Sequence, residues 1–354
     1  MIRKAFYTSV YLILLIFLQV SCSTKEYVKD GLKDGEYDSE FPYRNSSDEL
    51  DRISRSVKLV NCMAFYRRFV FSQTKNLKAE DLNDTVIDNE SMYNERFTEM
   101  SSGTGTILES TPYHLIILTA AHVIDFDDTV YTYYSNSQGR VTDIVQSISF
   151  KQNQNIYSNL PKGGELEIIM LDEKNDVALV GIKGSNLDPL SFDNPRFNYP
   201  VGNSNELTWG NFVYIFGFPV NNKILTRAIV SRPNVMNTKS FMVDAVLNRG
   251  ASGGIVLAVR DGVPNFELVG IVSWLSAERT NVLTPQKLFN DQKYQTDSRY
   301  EGKLYVGEIE EIKYGLTKVI STEAIKESLY DYEDEIRAKG YNIPELFTLE
   351  NVSP

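Results

Sequence analysis

Short apolar runs recur between turn residues along most of this chain. They are Ile116–Thr119, Val130–Tyr134, Leu166–Leu171, Val177–Ile182, Phe212–Phe216, Phe241–Val246 and Leu268–Trp274. Runs of this length, separated by turns, are typical of antiparallel strands rather than of alternating strand–helix units. We therefore predict an all-β fold built from antiparallel β-barrels.

The pattern changes towards the C-terminus. Residues 276–312 are polar and precede the last apolar strand, and their length predicts a loop. This loop either overlies a substrate cleft or is a peripheral excursion. Residues 321–325 (Ser-Thr-Glu-Ala-Ile) carry an N-terminal capping signal, which predicts a helix that ends at Gly340. Residues 341–354 form a C-terminal tail.

The N-terminus has the pattern of a targeting segment. Within residues 1–22, two basic residues precede an apolar run from Ala5 to Val20, and Ser21 and Cys22 follow it. The run is too short to span a membrane comfortably as a helix. A small residue before cysteine resembles a bacterial lipoprotein signal, which implies a lipid on Cys22 and a cell-envelope location. An ordinary signal peptide and an uncleaved anchor are the alternatives.

Composition limits the partners. The chain has 354 residues and a formal net charge of −11, with 36 basic and 47 acidic side chains. This balance argues against a nucleic-acid surface and favours a polypeptide partner. Residues 23–53 are polar and charged, which predicts a flexible tether, and residues 54–340 are interpreted as one catalytic domain.

Cysteine and histidine are rare, with two of each. If Cys22 carries a lipid, only Cys62 remains, so no disulfide between mature cysteines is expected. Cys62 lies in an apolar run and is interpreted as a small buried residue. The chain has no cysteine and histidine cluster for a metal and no phosphate-binding glycine loop, so no cofactor is predicted.

Three segments carry the candidate chemistry. Residues 248–254 (Asn-Arg-Gly-Ala-Ser-Gly-Gly) place Ser252 in a glycine turn. His122 follows one apolar run and Asp176 precedes another. A serine hydroxyl becomes nucleophilic when an imidazole removes its proton, and a carboxylate fixes the tautomer of that imidazole. These residues are far apart in the sequence, so only a tertiary fold can bring them together.

Each segment also has a plainer explanation. A Gly-Ala-Ser-Gly-Gly string alone is more often a flexible turn, and Asp176 alone would be a turn carboxylate. The second histidine, His114, enters a strand from a turn and is interpreted as structural. The His, Asp, Ser order and the matching contexts favour a catalytic triad, with the N–H groups of Gly250 and Ser252 as an oxyanion hole.

Several motifs together resemble trypsin-like serine proteases of the chymotrypsin fold, and specifically the catalytic domain of the HtrA group of bacterial envelope proteases. The motifs are Gly103–Leu108, Ile117–Ile124, Phe216–Pro219, Leu225–Ser231, Asp244–Gly254 and Val269–Trp274. The resemblance covers residues 101–275 and again 313–329. It implies two β-barrels, at about 54–185 and about 205–320, with the triad in the cleft between them.

The resemblance also implies how a substrate would bind. The strand at Ser273 and Trp274 resembles the one whose backbone pairs with an extended substrate beside the specificity pocket. Val246 or Leu247 would line that pocket, and Leu275 would narrow its mouth. None of these residues carries a carboxylate, so cleavage after small or medium aliphatic residues is expected.

The departures from the family pattern leave an alternative open. Arg249 stands where HtrA proteins carry proline, and Ala251 stands where they carry asparagine. Trypsin-like zymogens use an aspartate at the place of Ala251 to order the oxyanion loop, so this loop needs another source of order. The C-terminal PDZ domains of many HtrA proteins are not expected. The leading hypothesis is an active serine endopeptidase, and the alternative is a trypsin-fold peptide-binding protein with little or no activity.

Overall fold

The computed structural model describes residues 33–348 except for 41–43, 137–139, 161–163, 185–194, 235–237, 286–298 and 303. The backbone of 274–279, 305 and 308–314 is described without the side chains. Among the described residues, no helix is both long and apolar enough to cross a membrane.

The first barrel is formed by strands in the N-terminal half. They are β1 (Val57–Phe71), β2 (Ser91–Ser110), β3 (His114–Thr119), β4 (Thr129–Ser135), β5 (Val141–Ser158), β6 (Glu165–Asp172) and β7 (Val177–Lys183). The sheet order is β1-β2-β3-β7-β6-β5-β4, and β1 also pairs with β5. This extra pairing closes a barrel of six antiparallel strands, with β4 attached to the outside of β5.

The second barrel is formed by the remaining strands. They are β8 (Phe212–Gly217), β9 (Ile224–Arg232), β10 (Ser240–Val243), β11 (Ile255–Val259), β12 (Phe266–Pro285) and β13 (Leu304–Ser321). They close in the order β10-β13-β12-β11-β8-β9. The prediction of two antiparallel barrels is confirmed.

Side-chain patterning explains why these segments are strands. In β1, burial alternates at Val60, Cys62, Ala64 and Tyr66, which point into the first barrel while their neighbours face outwards. The interpretation of Cys62 holds, since its side chain is buried and burial raises the pKa of its thiol to about 11. In β7, all residues from Val177 to Ile182 are buried, because one face lines the barrel and the other packs against a second core.

That second core joins the two barrels to the helix that precedes β1 and to the helices at the C-terminus. Helix α1 (Ser47–Ser56) precedes β1, α2 (Asp84–Glu90) lies between β1 and β2, and α3 (Ala121–Ile124) follows β3. At the C-terminus lie α4 (Thr322–Asp331), α5 (Glu333–Ala338) and α6 (Glu345–Thr348). The Ser321 hydroxyl accepts the N–H of Ala324 at 3.2 Å, so the predicted capping signal begins a helix as expected.

The structure differs from the predicted tether at residues 34–39. Tyr37 is only 4% exposed; its hydroxyl donates to Glu267 at 2.7 Å, and its ring lies 4.1 Å from the guanidinium carbon of Arg260. The N–H of Asp38 donates to the carbonyl of Val259. An aromatic ring, a cation and a carboxylate therefore dock this segment on the second barrel.

The structure also differs from the predicted loop at 276–312. Strands β12 and β13 continue beyond the barrel as a two-stranded ribbon, with pairs from Ala277↔Ile312 to Pro285↔Leu304. Leu283 and Val306 lie opposite each other on this ribbon and are mostly exposed. The described side chains of the ribbon, at 280–285, 304, 306 and 307, are exposed or half-buried, so the sequence there lacks the alternation that marks a strand with one buried face.

Candidate active site

His122 lies in the one-turn helix α3, directly after β3. The apolar side chains of Ala121, Val123 and Ile124 are buried in the first barrel, whereas 46% of the His122 side chain remains exposed. Packing of the three neighbours therefore fixes the turn and leaves the imidazole at the surface of the barrel.

Asp176 lies in the turn between β6 and β7. It has φ of +59°, a left-handed conformation that aspartate tolerates better than most residues. Its Oδ1 accepts the backbone N–H of His122 at 3.0 Å and lies 2.9 Å from Nδ1 of the same residue. These contacts fix both the ring orientation and the tautomer with Nδ1 protonated and Nε2 free.

A second group holds the same carboxylate. The Ser273 hydroxyl donates to Oδ2 of Asp176 at 2.5 Å, and Ser273 is only 1% exposed. Burial raises the pKa of Asp176, but the hydrogen bonds and charge of His122, together with the Ser273 hydroxyl, outweigh it and leave the pKa below its ordinary value. Asp176 is therefore ionised at neutral pH.

Ser252 lies in a tight loop before β11, and two of its glycines are required there. Gly250 has φ of +99° and Gly253 has φ of +81°. A Cβ on Gly250 would lie 2.5 Å from the carbonyl oxygen of Phe218, and one on Gly253 would lie 2.1 Å from that of Thr104. At both positions, the positive φ and the lack of room for a Cβ therefore exclude residues other than glycine.

Thr104, on β2 of the first barrel, anchors this loop. Its N–H donates to the carbonyl of Ser252 at 2.7 Å, and its hydroxyl donates to the carbonyl of Gly250 at 2.7 Å. The same hydroxyl accepts the N–H of Phe218 at 2.8 Å. Thr104 is fully buried, so one residue of the first barrel ties the nucleophile loop of the second barrel into the cleft.

The orientation of the peptide between Arg249 and Gly250 is also fixed. The carbonyl of Arg249 accepts the N–H of Val220 at 2.9 Å. In a trans peptide, the next N–H points the opposite way, so the N–H of Gly250 points away from Val220. Among the described residues, neither the N–H of Gly250 nor that of Ser252 donates to a protein acceptor. The loop therefore has two backbone donors without a protein acceptor among the described residues.

One triad contact is not made. Among the hydrogen bonds of the described residues, none joins the Ser252 hydroxyl to the His122 ring. Ser252 is partly exposed, and Thr104 and Gly253 link its loop to β2 and β12. Nucleophile–base hydrogen bonds are often long in the absence of a substrate and tighten when one binds.

The residues predicted to bind substrate differ in how exposed their side chains are and in whether the structure describes them. Val246 is 65% exposed, whereas Leu247 is 2% exposed and packs in the core of the second barrel. Trp274 and Leu275 lie on β12, but their side chains are outside the described part of the structure. Cys22, the predicted lipid attachment site, also lies outside the described residues.

Two roles were missed from the sequence. Ser273 was predicted to contact substrate, and its hydroxyl also holds Asp176. Thr104 lies in the Gly103–Leu108 motif, and nothing local marks a threonine that bonds to a loop on another barrel. Within the described residues, no cluster of three or more His, Cys, Asp or Glu side chains could hold a metal ion.

Residues 103–271 match the model of the trypsin-like peptidase domain family. This part of the chain is similar to that family. The match contains His122, Asp176 and Ser252 and spans the strands that present them. The chain is therefore similar to serine proteases of this family. A comparison with curated protein sequences finds no match.

Solved structures with similar folds include HtrA-type proteases. One is the HtrA-type protease AlgW with a tripeptide, at 15% identity and a TM-score of 0.42, over 82% of this chain. The chain spans 64% of the length of that AlgW chain. Another is a serine endoprotease from Yersinia pestis, at 18% identity and a TM-score of 0.39, over 85% of this chain and 69% of that one.

Proposed function

We propose that the protein is a serine endopeptidase. The Ser252 hydroxyl attacks a peptide carbonyl while Nε2 of His122 takes its proton, and the resulting oxyanion accepts the N–H groups of Gly250 and Ser252. His122 then donates the proton to the leaving amine, which leaves an acyl group on Ser252. Water, activated by His122, releases the acid and restores the serine. Asp176 orients His122 and stabilises its charged form.

The observation that carries this proposal is the paired arrangement of the Asp176–His122 contact and the two free N–H groups. The carboxylate is ionised and 2.9 Å from Nδ1 of His122. The N–H groups of Gly250 and Ser252 have no protein acceptor among the described residues, so both can donate to the oxyanion of a tetrahedral intermediate. Donors of this kind contribute about 3–4 kcal/mol each to the stabilisation of such an intermediate.

A second candidate function is peptide binding without efficient catalysis. It is favoured by the missing Ser252–His122 hydrogen bond within the described residues and by Arg249 and Ala251, which depart from the HtrA pattern that this chain resembles. Both functions use the same cleft, so the test must report on the reactivity of Ser252 rather than on peptide affinity.

Labelling with a fluorophosphonate probe separates the two functions, because only an activated serine reacts. We expect wild type to be labelled and Ser252→Ala to be unlabelled. His122→Ala should lower peptidase activity by about 10⁶-fold, and Asp176→Asn by about 10⁴-fold because it holds the wrong tautomer. Folded wild-type protein that binds peptide but takes no label would support the binding function instead.

We propose that the substrate is a polypeptide cleaved after small or medium aliphatic residues. Support comes from Val246, which is apolar and supplies no carboxylate for arginine or lysine. Discrimination should be modest, since a methylene in an apolar pocket contributes about 1–3 kcal/mol. A peptide library should show this preference, and cleavage mainly after arginine, lysine or glutamate would refute it.

We propose further that the enzyme is attached to a bacterial envelope membrane by a lipid on Cys22. The support is the apolar run that ends at Ser21 and Cys22. Palmitate should label the wild-type protein and not Cys22→Ala. Equal incorporation by both proteins would exclude the lipid anchor and would leave the proposed peptidase activity untouched.

A further inference from the structure

A buried carboxylate that the mechanism does not use lies at the start of the Asp176 turn. Asp172 is the last residue of β6 and is only 3% exposed. Its Oδ1 accepts the backbone N–H groups of Lys174 and Asn175 at 3.1 and 3.2 Å. Its Oδ2 accepts the side-chain amide of Asn175 at 2.7 Å. Asp172 therefore bonds to the backbone of the turn that ends at Asp176.

The remaining hydrogen bond to the Asp172 carboxylate is donated from the C-terminal helix α4. The Ser328 hydroxyl donates to Oδ2 of Asp172 at 2.6 Å, and Ser328 is fully buried. The carbonyl of Ala324 is farther from this hydroxyl, at 3.0 Å, so the carboxylate is its main acceptor. The Asn175 amide also lies 3.2 Å from the Ser328 oxygen. Helix α4 is thus bonded directly to the turn.

This turn determines where the Asp176 carboxylate points. Asp172 pairs with Val177 across the β6–β7 hairpin, so the residues between them form one short connection. Asp176 is held there in the left-handed conformation, which is uncommon for a residue other than glycine. A conformation of this kind persists only where the surroundings impose it, and the bonds from Asp172 supply that constraint.

We propose that Asp172 and Ser328 are positioning residues that hold the Asp176 carboxylate against His122 and connect helix α4 to the triad. This inference rests on the proposed peptidase function. Without the Ser328 hydroxyl, Asp172 loses one buried donor and the turn gains freedom to relax. A displacement of about 1 Å at a catalytic group can lower the rate by about 10²-fold, even when the altered residue lies outside the chemistry.

The test compares three variants of the full chain. Ser328→Ala removes the hydroxyl, and Ser328→Thr restores one at the same place. Ser56→Ala is the matched control, because Ser56 is equally buried and donates at 2.7 Å to the Ile53 carbonyl in α1. We expect Ser328→Ala to lower kcat by about 10- to 100-fold with KM nearly unchanged. Ser328→Thr should recover most of the loss, and Ser56→Ala should alter neither constant.

Proton NMR reports on the contact between Asp176 and His122 without requiring that the protein be active. The chain has two histidines, and both rings contact a carboxylate: His122 contacts Asp176, and Nε2 of His114 lies 2.7 Å from Glu109. Ser328→Ala should move or broaden the downfield Nδ1–H signal of His122, which His122→Ala identifies, and leave the His114 signal in place. An inactive protein that shows this change would contradict the proposed function and support the positioning role.

The positioning role would be overturned by the opposite pattern. If Ser328→Ala lowered the free energy of unfolding as Ser56→Ala does, yet kept the wild-type His122 signal and kcat, Ser328 would contribute only to stability. Loss of the His122 signal in Ser328→Thr to the same extent as in Ser328→Ala would also contradict the proposal, since the hydroxyl is then not the relevant group.

Discussion

Replacing Thr104 with valine tests whether the first barrel orders the nucleophile loop. Valine has nearly the same shape but lacks the hydroxyl that donates to Gly250 and accepts from Phe218. Both backbone groups would then be buried without this partner, and each such loss costs about 1–3 kcal/mol. We expect the free energy of unfolding to fall by about 2–4 kcal/mol, a large share of the 5–15 kcal/mol that is typical of a domain.

Thr106 supplies a matched control on the same strand. It lies two residues further along β2 and is equally buried, but its hydroxyl has no hydrogen-bond partner among the described residues. Thr106→Val should therefore leave stability unchanged or raise it, since it removes an unsatisfied polar atom without changing shape. The two variants differ only in whether a hydroxyl bonds to the loop.

Activity should separate the two variants as well. If Thr104 holds Gly250, its loss lets the oxyanion donors relax, and kcat should fall by about 10²-fold, as when one such donor is removed. The measurements are urea denaturation and the rate of fluorophosphonate labelling. Equal destabilisation by Thr104→Val and Thr106→Val, or an unchanged labelling rate in Thr104→Val, would refute the reasoning.

Further predictions concern Gly253 in the nucleophile loop and the pH dependence of stability at acid pH. Gly253→Ala should prevent labelling and destabilise the fold strongly, since its Cβ would lie 2.1 Å from the carbonyl oxygen of Thr104, and thermal unfolding would measure this. The pKa of Asp172 is raised by burial, but its hydrogen bonds outweigh this and hold it below its ordinary value of about 3.9. A carboxylate whose pKa is lower in the folded than in the unfolded protein stabilises the fold at pH values above its unfolded pKa. This stabilisation is lost as the pH falls through its folded pKa. The difference in the free energy of unfolding between wild type and Asp172→Asn should therefore shrink as the pH falls below the ordinary value of about 3.9, and a difference that stayed constant in urea titrations at acid pH would contradict this.

Strands such as β3, β7 and β8 were predictable because each has apolar side chains to bury. The run Val177–Ile182 was read as one strand and forms nearly all of β7, which is buried on both faces. His122 was recognisable for the same reason, since the apolar residues around it fix a turn at the end of β3. Where burial determines the conformation, the pattern of apolar and polar residues along the sequence predicts it.

Other features depend on contacts between distant segments. Tyr37 lies in a polar stretch and is buried by Arg260 and Glu267, so composition alone predicted a tether. The described side chains of the ribbon of β12 and β13 are exposed or half-buried and show no alternation. Asp172 and Ser328 meet only because helix α4 packs beside the β6–β7 turn. No local pattern marks such pairs, since each partner is ordinary in its own segment.

The same reasoning bears on whether the site is active. Ala251 occupies the place where trypsin-like zymogens use an aspartate to order the oxyanion loop, and here its side chain is fully buried in the core of the second barrel. Apolar packing at Ala251, together with the bonds from Thr104 and Val220, supplies the order that a carboxylate would otherwise provide. An ordered loop without that carboxylate requires no newly cut N-terminus. The departure at Ala251 is therefore compatible with the proposed oxyanion hole.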